Sequence, residues 1–175
     1  MSEEFDPISL EILWNRLVAI VDEASAALVR ASFSTVLRES NDFACILLDA
    51  KGRSLAQSTK SIPSFIGTMP ISLKKFLEIF PPETLKDGDV IISNDPWMCS
   101  GHLPDVTMAT PIFRNHELIA FAGCIGHSPD MGGRLRSADS SEIYEEGLQI
   151  PPSRLMKAGQ WNEELATLIR RNVRV

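Results

Sequence analysis

The sequence predicts an α+β fold in which a long amino-terminal helix packs on mixed or antiparallel strands, with a metal site at loop ends. Two observations predict it. Apolar residues recur at helical spacing in the first fifth of the chain, and short β-branched runs separated by turn residues follow. At 175 residues and 44% apolar content, the chain is long enough for a single domain with its own core over residues 1–175.

The amino-terminal helix is predicted to begin at Pro7 and to end near Phe33. Asp6 supplies a capping carboxylate, and Pro7 costs little in the first turn because its missing N–H would have no helical partner there. We expect the apolar stripe of this helix to face the core. The stripe consists of Leu10, Leu13, Trp14, Leu17, Ile20, Val21, Ala24, Leu28 and Ala31.

Local patterns predict the elements that follow. Strands are expected at residues 43–48, 54–57 and 90–93, where β-branched and other apolar residues are bounded by turn signals. Proline is favoured in the first turn of a helix, so Pro70 is expected to open a helix that ends at residue 80. One helical turn is expected at residues 142–146, and Asn162 is expected to cap a final helix.

Two apolar runs, residues 106–113 and 118–125, flank a polar stretch and predict a β-hairpin. A turn centred on Asn115 and His116 would place residue 127 opposite residue 104. His127 and His102 would then lie at the open end of the hairpin, as diagonal neighbours about 7–8 Å apart. His116 is expected at the opposite end, in solvent.

The clearest indication of chemistry is a pair of similar pentapeptides, Gly-His-Leu-Pro-Asp at residues 101–105 and Gly-His-Ser-Pro-Asp at residues 126–130. Imidazole and carboxylate groups are common ligands of Mn²⁺, Fe²⁺ and Zn²⁺, and glycine and proline hold a loop in one conformation. The pattern therefore favours a metal site. Two loop histidines that simply hydrogen-bond to nearby aspartates are the alternative.

Composition argues against several classes of function. The net charge of −6 and the lack of a basic cluster argue against nucleic acid or an anionic membrane surface as the main partner. The amino terminus is acidic and no run approaches about 18 apolar residues, so secretion and membrane spanning are not expected. Three widely spaced cysteines favour neither a disulfide framework nor a thiolate zinc site, and fit a reducing cytoplasm.

Three further features have a functional and a simpler interpretation. Asp95 is interpreted first as part of an Asn-Asp-Pro turn and second as a catalytic acid. Cys99 is interpreted as a packed thiol and second as a nucleophile. Gly132 and Gly133 are interpreted as a flexible loop and second as an anion cradle, because no strand-glycine-helix pattern of a phosphate loop is present. ATP binding is therefore expected outside this chain.

A series of short motifs runs in a fixed order along nearly the whole chain. They lie at residues 6–8, 38–43, 55–57, 67–70, 88–90, 94–96, 101–107, 126–133 and 145–152. Together they resemble the hydantoinase B/oxoprolinase family. That family includes N-methylhydantoinase B subunits, the matching half of ATP-dependent 5-oxoprolinase, and the alpha-type subunits of acetone and acetophenone carboxylases.

The resemblance implies a metal centre when it is carried over residue by residue. Asp42, His102 and His127 would hold a divalent ion, either Mn, Zn or Fe. Asp105 and Asp130 would support catalysis by accepting an imidazole N–H, which fixes the tautomer and the orientation of each ring.

The resemblance also implies a function. The chain would be the metal-dependent subunit of an ATP-dependent hydrolase of cyclic amides, such as hydantoins or lactams of the 5-oxoproline type. It would act in a cytoplasmic hetero-oligomer with a hydantoinase A-type subunit that uses ATP. The alternatives are a subunit of an ATP-dependent ketone carboxylase and a catalytically inactive assembly module that binds its partner through the amino-terminal helix.

Family members usually continue for several hundred residues beyond the point that corresponds to residue 175. We therefore expect the chain to represent the amino-terminal, metal-bearing portion of a hydantoinase B-type subunit, without the family's carboxyl-terminal region.

Overall fold

The structure, a computed structural model, describes residues 6–134 and 140–174. Over these residues the chain forms one seven-stranded sheet and four α-helices, and every strand pairing is antiparallel. The α+β class is thus confirmed, and of the two expected kinds of sheet the structure has the antiparallel one. The helices are α1 (Pro7–Ala31), α2 (Thr35–Ser40), α3 (Pro63–Ile79) and α4 (Glu163–Asn172). The strands are β1 (Phe43–Asp49), β2 (Ser54–Gln57), β3 (Val90–Ser93), β4 (Asp105–Arg114), β5 (Glu117–His127), β6 (Ser153–Lys157) and β7 (Gln160–Trp161), in the sheet order β2-β1-β5-β4-β3-β6-β7.

Helix α1 begins where the sequence predicts. The carboxylate of Asp6 accepts hydrogen bonds from the N–H groups of Ile8 and Ser9, as expected of an N-cap. Only the second half of the helix packs on β1 and β2, where Val21 and Ser25 are buried. Residues 6–16 are all exposed, so the apolar stripe faces the core over only part of its predicted length.

The start of α3 was predicted wrongly. The helix begins at Pro63, and Pro70 lies inside it. Either proline could occupy a first turn, but a helix that starts at Pro63 also presents Phe65, Met69, Leu73 and Phe76 to the sheet, and all four are buried. Burial of this stripe offsets the interior proline, which costs about 3 kcal/mol in an isolated helix.

The hairpin of β4 and β5 is confirmed, and its register is corrected. Asn115 and His116 both have positive φ, as a two-residue hairpin turn requires. The pairing next to the turn is as predicted, but Ile112 pairs with Ala120 and Phe113 with Leu118, so Ile119 is an additional residue in β5. As a consequence His127 lies opposite Asp105, one position from the predicted register.

Among the α-helices and strands, α2, β6 and β7 were not predicted. Helix α2 has only six residues, and the Ser34 side chain caps it. Strand β6 directly follows Pro151 and Pro152, which argue against a strand, yet it pairs with β3. The other expected elements are confirmed, including β1, β2, β3, the short helical turn Ile143–Glu145, and α4 with its Asn162 cap.

The helices divide the core between the two faces of the sheet. Helix α3 covers one face and packs against Ile46, Ile91 and Phe121. Helices α1 and α2 cover the other face near β1, and α4 covers it near β3 through Leu165 and Ile169. None of the described helices combines the length and apolar character that crossing a bilayer requires.

Candidate metal centre

The candidate metal centre lies at one edge of the sheet, where β5 ends and its neighbours β1 and β4 begin. Strand β5 lies between β1 and β4 and runs antiparallel to both, so its last residues are beside the first residues of its neighbours. This arrangement brings together Asp42 just before β1, Asp105 at the start of β4 and His127 at the end of β5. His102 reaches the same edge from the loop before β4.

Asp105 joins the two histidines. Its Oδ1 atom lies 2.9 Å from Nε2 of His102 and 3.0 Å from Nδ1 of His127. The two imidazole rings are tilted by 40°, and their centroids are 5.3 Å apart. One ligand atom from each of the three residues lies within 4.8 Å of the other two. These nitrogen and oxygen donors are suited to Mn²⁺, Fe²⁺ or Zn²⁺.

Asp42 lies at the margin of this group. Its Oδ2 atom is 3.7 Å from Nδ1 of His127, and its main-chain carbonyl accepts a hydrogen bond from the His127 N–H at 3.1 Å. The cluster of donors within 4.8 Å contains Asp105 instead. The assignment of Asp42 as a ligand therefore stays a prediction. Asp105 contacts both imidazoles, as expected of a residue that orients the rings.

Asp130 occupies the matching position of the second pentapeptide but has different partners. Its carboxylate accepts hydrogen bonds from the N–H of Gly132 at 2.7 Å and from Nη1 of Arg174 at 2.8 Å. The Arg174 guanidinium also donates to the carbonyls of Gly132 and Gly133. The side chain thus holds the loop after His127, and the expected hydrogen bond to an imidazole is replaced by these contacts.

The other residues singled out from the sequence lie as follows. His116 is exposed at the hairpin turn, away from the cluster. The Asp95 carboxylate accepts hydrogen bonds from the Trp97 N–H and from Gln149, which supports its interpretation as a turn residue. Burial raises the pKa of the Cys99 thiol, which favours the packed interpretation.

A close backbone contact explains why residue 133 is a glycine, and the flexible-loop interpretation did not include it. A Cβ atom at this position would lie 2.3 Å from the carbonyl oxygen of Glu145. The loop is therefore closely packed against the segment that contains Glu145.

Sequence reasoning missed the contacts that hold the loop carrying His102. Asn94 is fully buried, and its amide group donates to the carbonyls of Leu103 and Leu148. A Glu146 carboxylate oxygen accepts a hydrogen bond from the Leu103 N–H at 3.0 Å. Both residues belong to the quoted motifs, but nothing in their spacing shows that they meet at Leu103.

The charges of the cluster stabilise one another. The hydrogen bond to Asp105 raises the pKa of His102, and the negative charges of Asp105, Glu146 and Asp42 act in the same direction against the effect of burial. Burial alone would raise the pKa of Asp105. Hydrogen bonds and charge from His102 and His127 outweigh it, so the pKa of Asp105 is lowered. The cluster thus favours an ionised Asp105.

We expect the thermal stability of the metal-free chain to fall as the pH rises from about 6.5 through the folded-state pKa of His102. The folded-state pKa of His102 lies above its unfolded value of about 6.5. Its contribution is therefore fully present below that value and is lost as pH rises through the folded-state pKa. Melting temperatures measured in a chelator across this range should show the slope, and a His102→Gln variant should lack most of it. An equal slope in both proteins would contradict the assignment.

Comparison of the sequence with known proteins identifies a family. The Hydantoinase B/oxoprolinase sequence profile matches residues 6–175. The beta subunit of caprolactamase from Pseudomonas jessenii is 33% identical over 97% of this chain and 29% of its own length. The 5-oxoprolinase of Saccharomyces cerevisiae is 36% identical over 93% of this chain and 13% of its own length.

Two solved structures share the fold. The crystal structure of ATP-dependent caprolactamase from Pseudomonas jessenii has a TM-score of 0.88 at 32% identity, covering 99% of this chain and 30% of the matched chain. Nucleotide-free acetone carboxylase has a TM-score of 0.86 at 25% identity, covering 97% of this chain and 23% of the matched chain. The chain spans less than a third of the length of each of these proteins. It belongs to the hydantoinase B/oxoprolinase family.

Proposed function

We propose that this chain is the metal-binding part of an ATP-dependent hydrolase that opens cyclic amides. The observation that carries the proposal is the convergence of ligand atoms from His102, Asp105 and His127 within 4.8 Å at one edge of the sheet. It occurs in a chain that is similar to a caprolactamase subunit and to a 5-oxoprolinase.

The two imidazoles and the Asp105 carboxylate are the proposed ligands, with Asp42 as an additional carboxylate beside His127. This set differs from the one implied by resemblance because Asp105 lies between the rings while Asp42 approaches only one of them. A divalent cation held here would polarise a carbonyl oxygen or lower the pKa of a water molecule. The protein residues fix ring orientation and keep an anionic carboxylate at the site.

ATP is proposed to be used by a hydantoinase A-type partner. The sequence contains no glycine-rich phosphate loop, and the relatives include a protein named as the beta subunit of a caprolactamase. Such a division of labour places phosphoryl transfer and the metal-assisted step at different sites. The complex would be a cytoplasmic hetero-oligomer.

Carboxylation of a ketone is the second candidate, because the fold is shared with acetone carboxylase at a TM-score of 0.86. The identity to that protein is 25%, compared with 32% to the caprolactamase structure. The greater similarity to the lactam-opening enzyme favours hydrolysis. A catalytically inactive assembly module is the third candidate, and it requires no metal.

Reconstitution tests the proposed function. The isolated chain should not hydrolyse ATP. A complex with a hydantoinase A-type subunit and the family's carboxyl-terminal region should release ADP when hydantoin, 5-oxoproline or caprolactam is added, and bicarbonate should not be required. Removing the metal with a chelator should abolish product formation.

The other outcomes separate the candidates. A requirement for both a ketone and bicarbonate would favour the carboxylase. A complex that assembles and turns over substrate equally well without metal would contradict the role assigned to this site. ATP hydrolysis by the isolated chain would show that nucleotide chemistry had been placed in the wrong subunit.

A further inference from the structure

We propose that Glu146 is a positioning residue for His102, acting through its hydrogen bond to the Leu103 N–H. The inference rests on the proposed metal site and names a residue outside its ligand set. Leu103 directly follows His102, so a group that fixes the Leu103 peptide also fixes the main chain from which the imidazole extends.

Hydrogen bonds hold the main chain on both sides of the Leu103 Cα atom. Its N–H donates to Oε2 of Glu146 at 3.0 Å, and its carbonyl accepts from Nδ2 of Asn94 at 2.7 Å. The Leu103 side chain is fully buried. By contrast, the His102 side chain is 42% exposed, so packing around the imidazole restrains it less than the adjacent peptide does.

Glu146 is itself carried on a closely packed segment. The next residue, Gly147, has a φ of 130°, and a Cβ atom there would lie 2.0 Å from the Met131 carbonyl oxygen. The Leu148 N–H donates to that same carbonyl at 2.6 Å, and Gly147 forms a β-bridge with Gly132. The main chain that carries Glu146 is thus anchored to the loop that follows His127.

The arrangement links the two histidine loops. The Ser128 N–H donates to the Pro104 carbonyl at 2.7 Å, which joins the two pentapeptides directly. Glu146 adds a second connection, from the segment packed on residues 131–133 to the peptide after His102. Contacts that orient metal ligands in this indirect way typically alter metal affinity about 10- to 100-fold when removed.

Two substitutions separate the hydrogen bond from the charge. Glu146→Ala removes the acceptor and should weaken binding of Mn²⁺ and Zn²⁺ to the chain by about 10- to 100-fold. Glu146→Gln keeps an oxygen acceptor without the charge and should retain most of the affinity. Calorimetric titration of the purified 175-residue chain with each ion measures both effects.

Asn162→Ala is the matched control for loss of stability. Asn162 also joins two segments, donating to the Arg154 carbonyl and capping α4, but it is not among the contacts of the metal cluster. It should lower the melting temperature without changing metal affinity. A purely structural role for Glu146 would affect the melting temperature alone.

Each remaining outcome overturns the inference. Unchanged affinity in Glu146→Ala would show that the Leu103 hydrogen bond does not position His102. Equal weakening in Glu146→Gln and Glu146→Ala would assign the effect to charge or direct ligation, and equal weakening in Asn162→Ala would assign it to general stability. If the unmodified chain bound neither ion, the proposed metal site would fail first, which distinguishes that result from a failure of the positioning role alone.

Discussion

Purified His102→Ala and His127→Ala variants are expected to contain almost no divalent metal, whereas the unmodified chain should contain about one ion per chain. Each substitution removes one of two imidazoles that face the same Asp105 oxygen, at 2.9 and 3.0 Å. A site that has lost one of its two nitrogen donors holds a divalent ion far more weakly than the complete site. Elemental analysis after growth with added Mn, Fe and Zn measures the loss.

His116→Ala is the control for this experiment. His116 is exposed at the turn of the same hairpin, at the end opposite to the cluster, and should not affect metal content. Unmodified protein without metal after supplementation would favour the alternative in which the histidines only hydrogen-bond to Asp105. Full metal content in His127→Ala would also contradict the assigned site.

The sequence allowed the parts of the site to be predicted where local signals were strong. Asn115 and His116 form the predicted turn, and both hairpin strands follow alternating or apolar patterns, so the shared position of His102 and His127 could be deduced. The residue of β4 that lies opposite His127 could not be deduced. One additional residue at Ile119 shifts the pairing, and no local pattern distinguishes it from a regular strand residue.

Long-range packing accounts for the other errors. Pro63 and Pro70 are equally plausible first-turn residues locally, and burial of Phe65 and Met69 against the sheet decides between them. The two pentapeptides are similar in sequence, but their aspartates have different partners. Arg174, which is distant in sequence, donates a hydrogen bond to the Asp130 carboxylate, whereas Asp105 contacts the imidazoles. Glu146 was missed for the same reason, since its contact with Leu103 depends on the folded chain.

Asp105→Asn is expected to reduce metal affinity more than Asp42→Asn. The Asp105 side chain is 7% exposed and contacts both imidazoles, so its replacement removes a buried negative charge from the centre of the cluster. Asp42 is 29% exposed on its side chain and lies 3.7 Å from one imidazole nitrogen. We expect a loss of at least about 100-fold for Asp105→Asn and of about 10-fold for Asp42→Asn, measured by metal titration of folded protein.

Asp130→Asn provides the matched control, because Asp130 is as buried as Asp105 and occupies the same position of the repeated pentapeptide. Its partners are Arg174 and Gly132, so the substitution should lower stability and leave metal affinity nearly unchanged. A larger loss for Asp42→Asn than for Asp105→Asn would restore the ligand set implied by resemblance, with Asp105 only orienting the rings. A loss for Asp130→Asn as large as that for Asp105→Asn would show that the carboxylates act through the stability of their loops, since Asp105 contacts both imidazoles whereas Asp130 contacts Gly132 and Arg174.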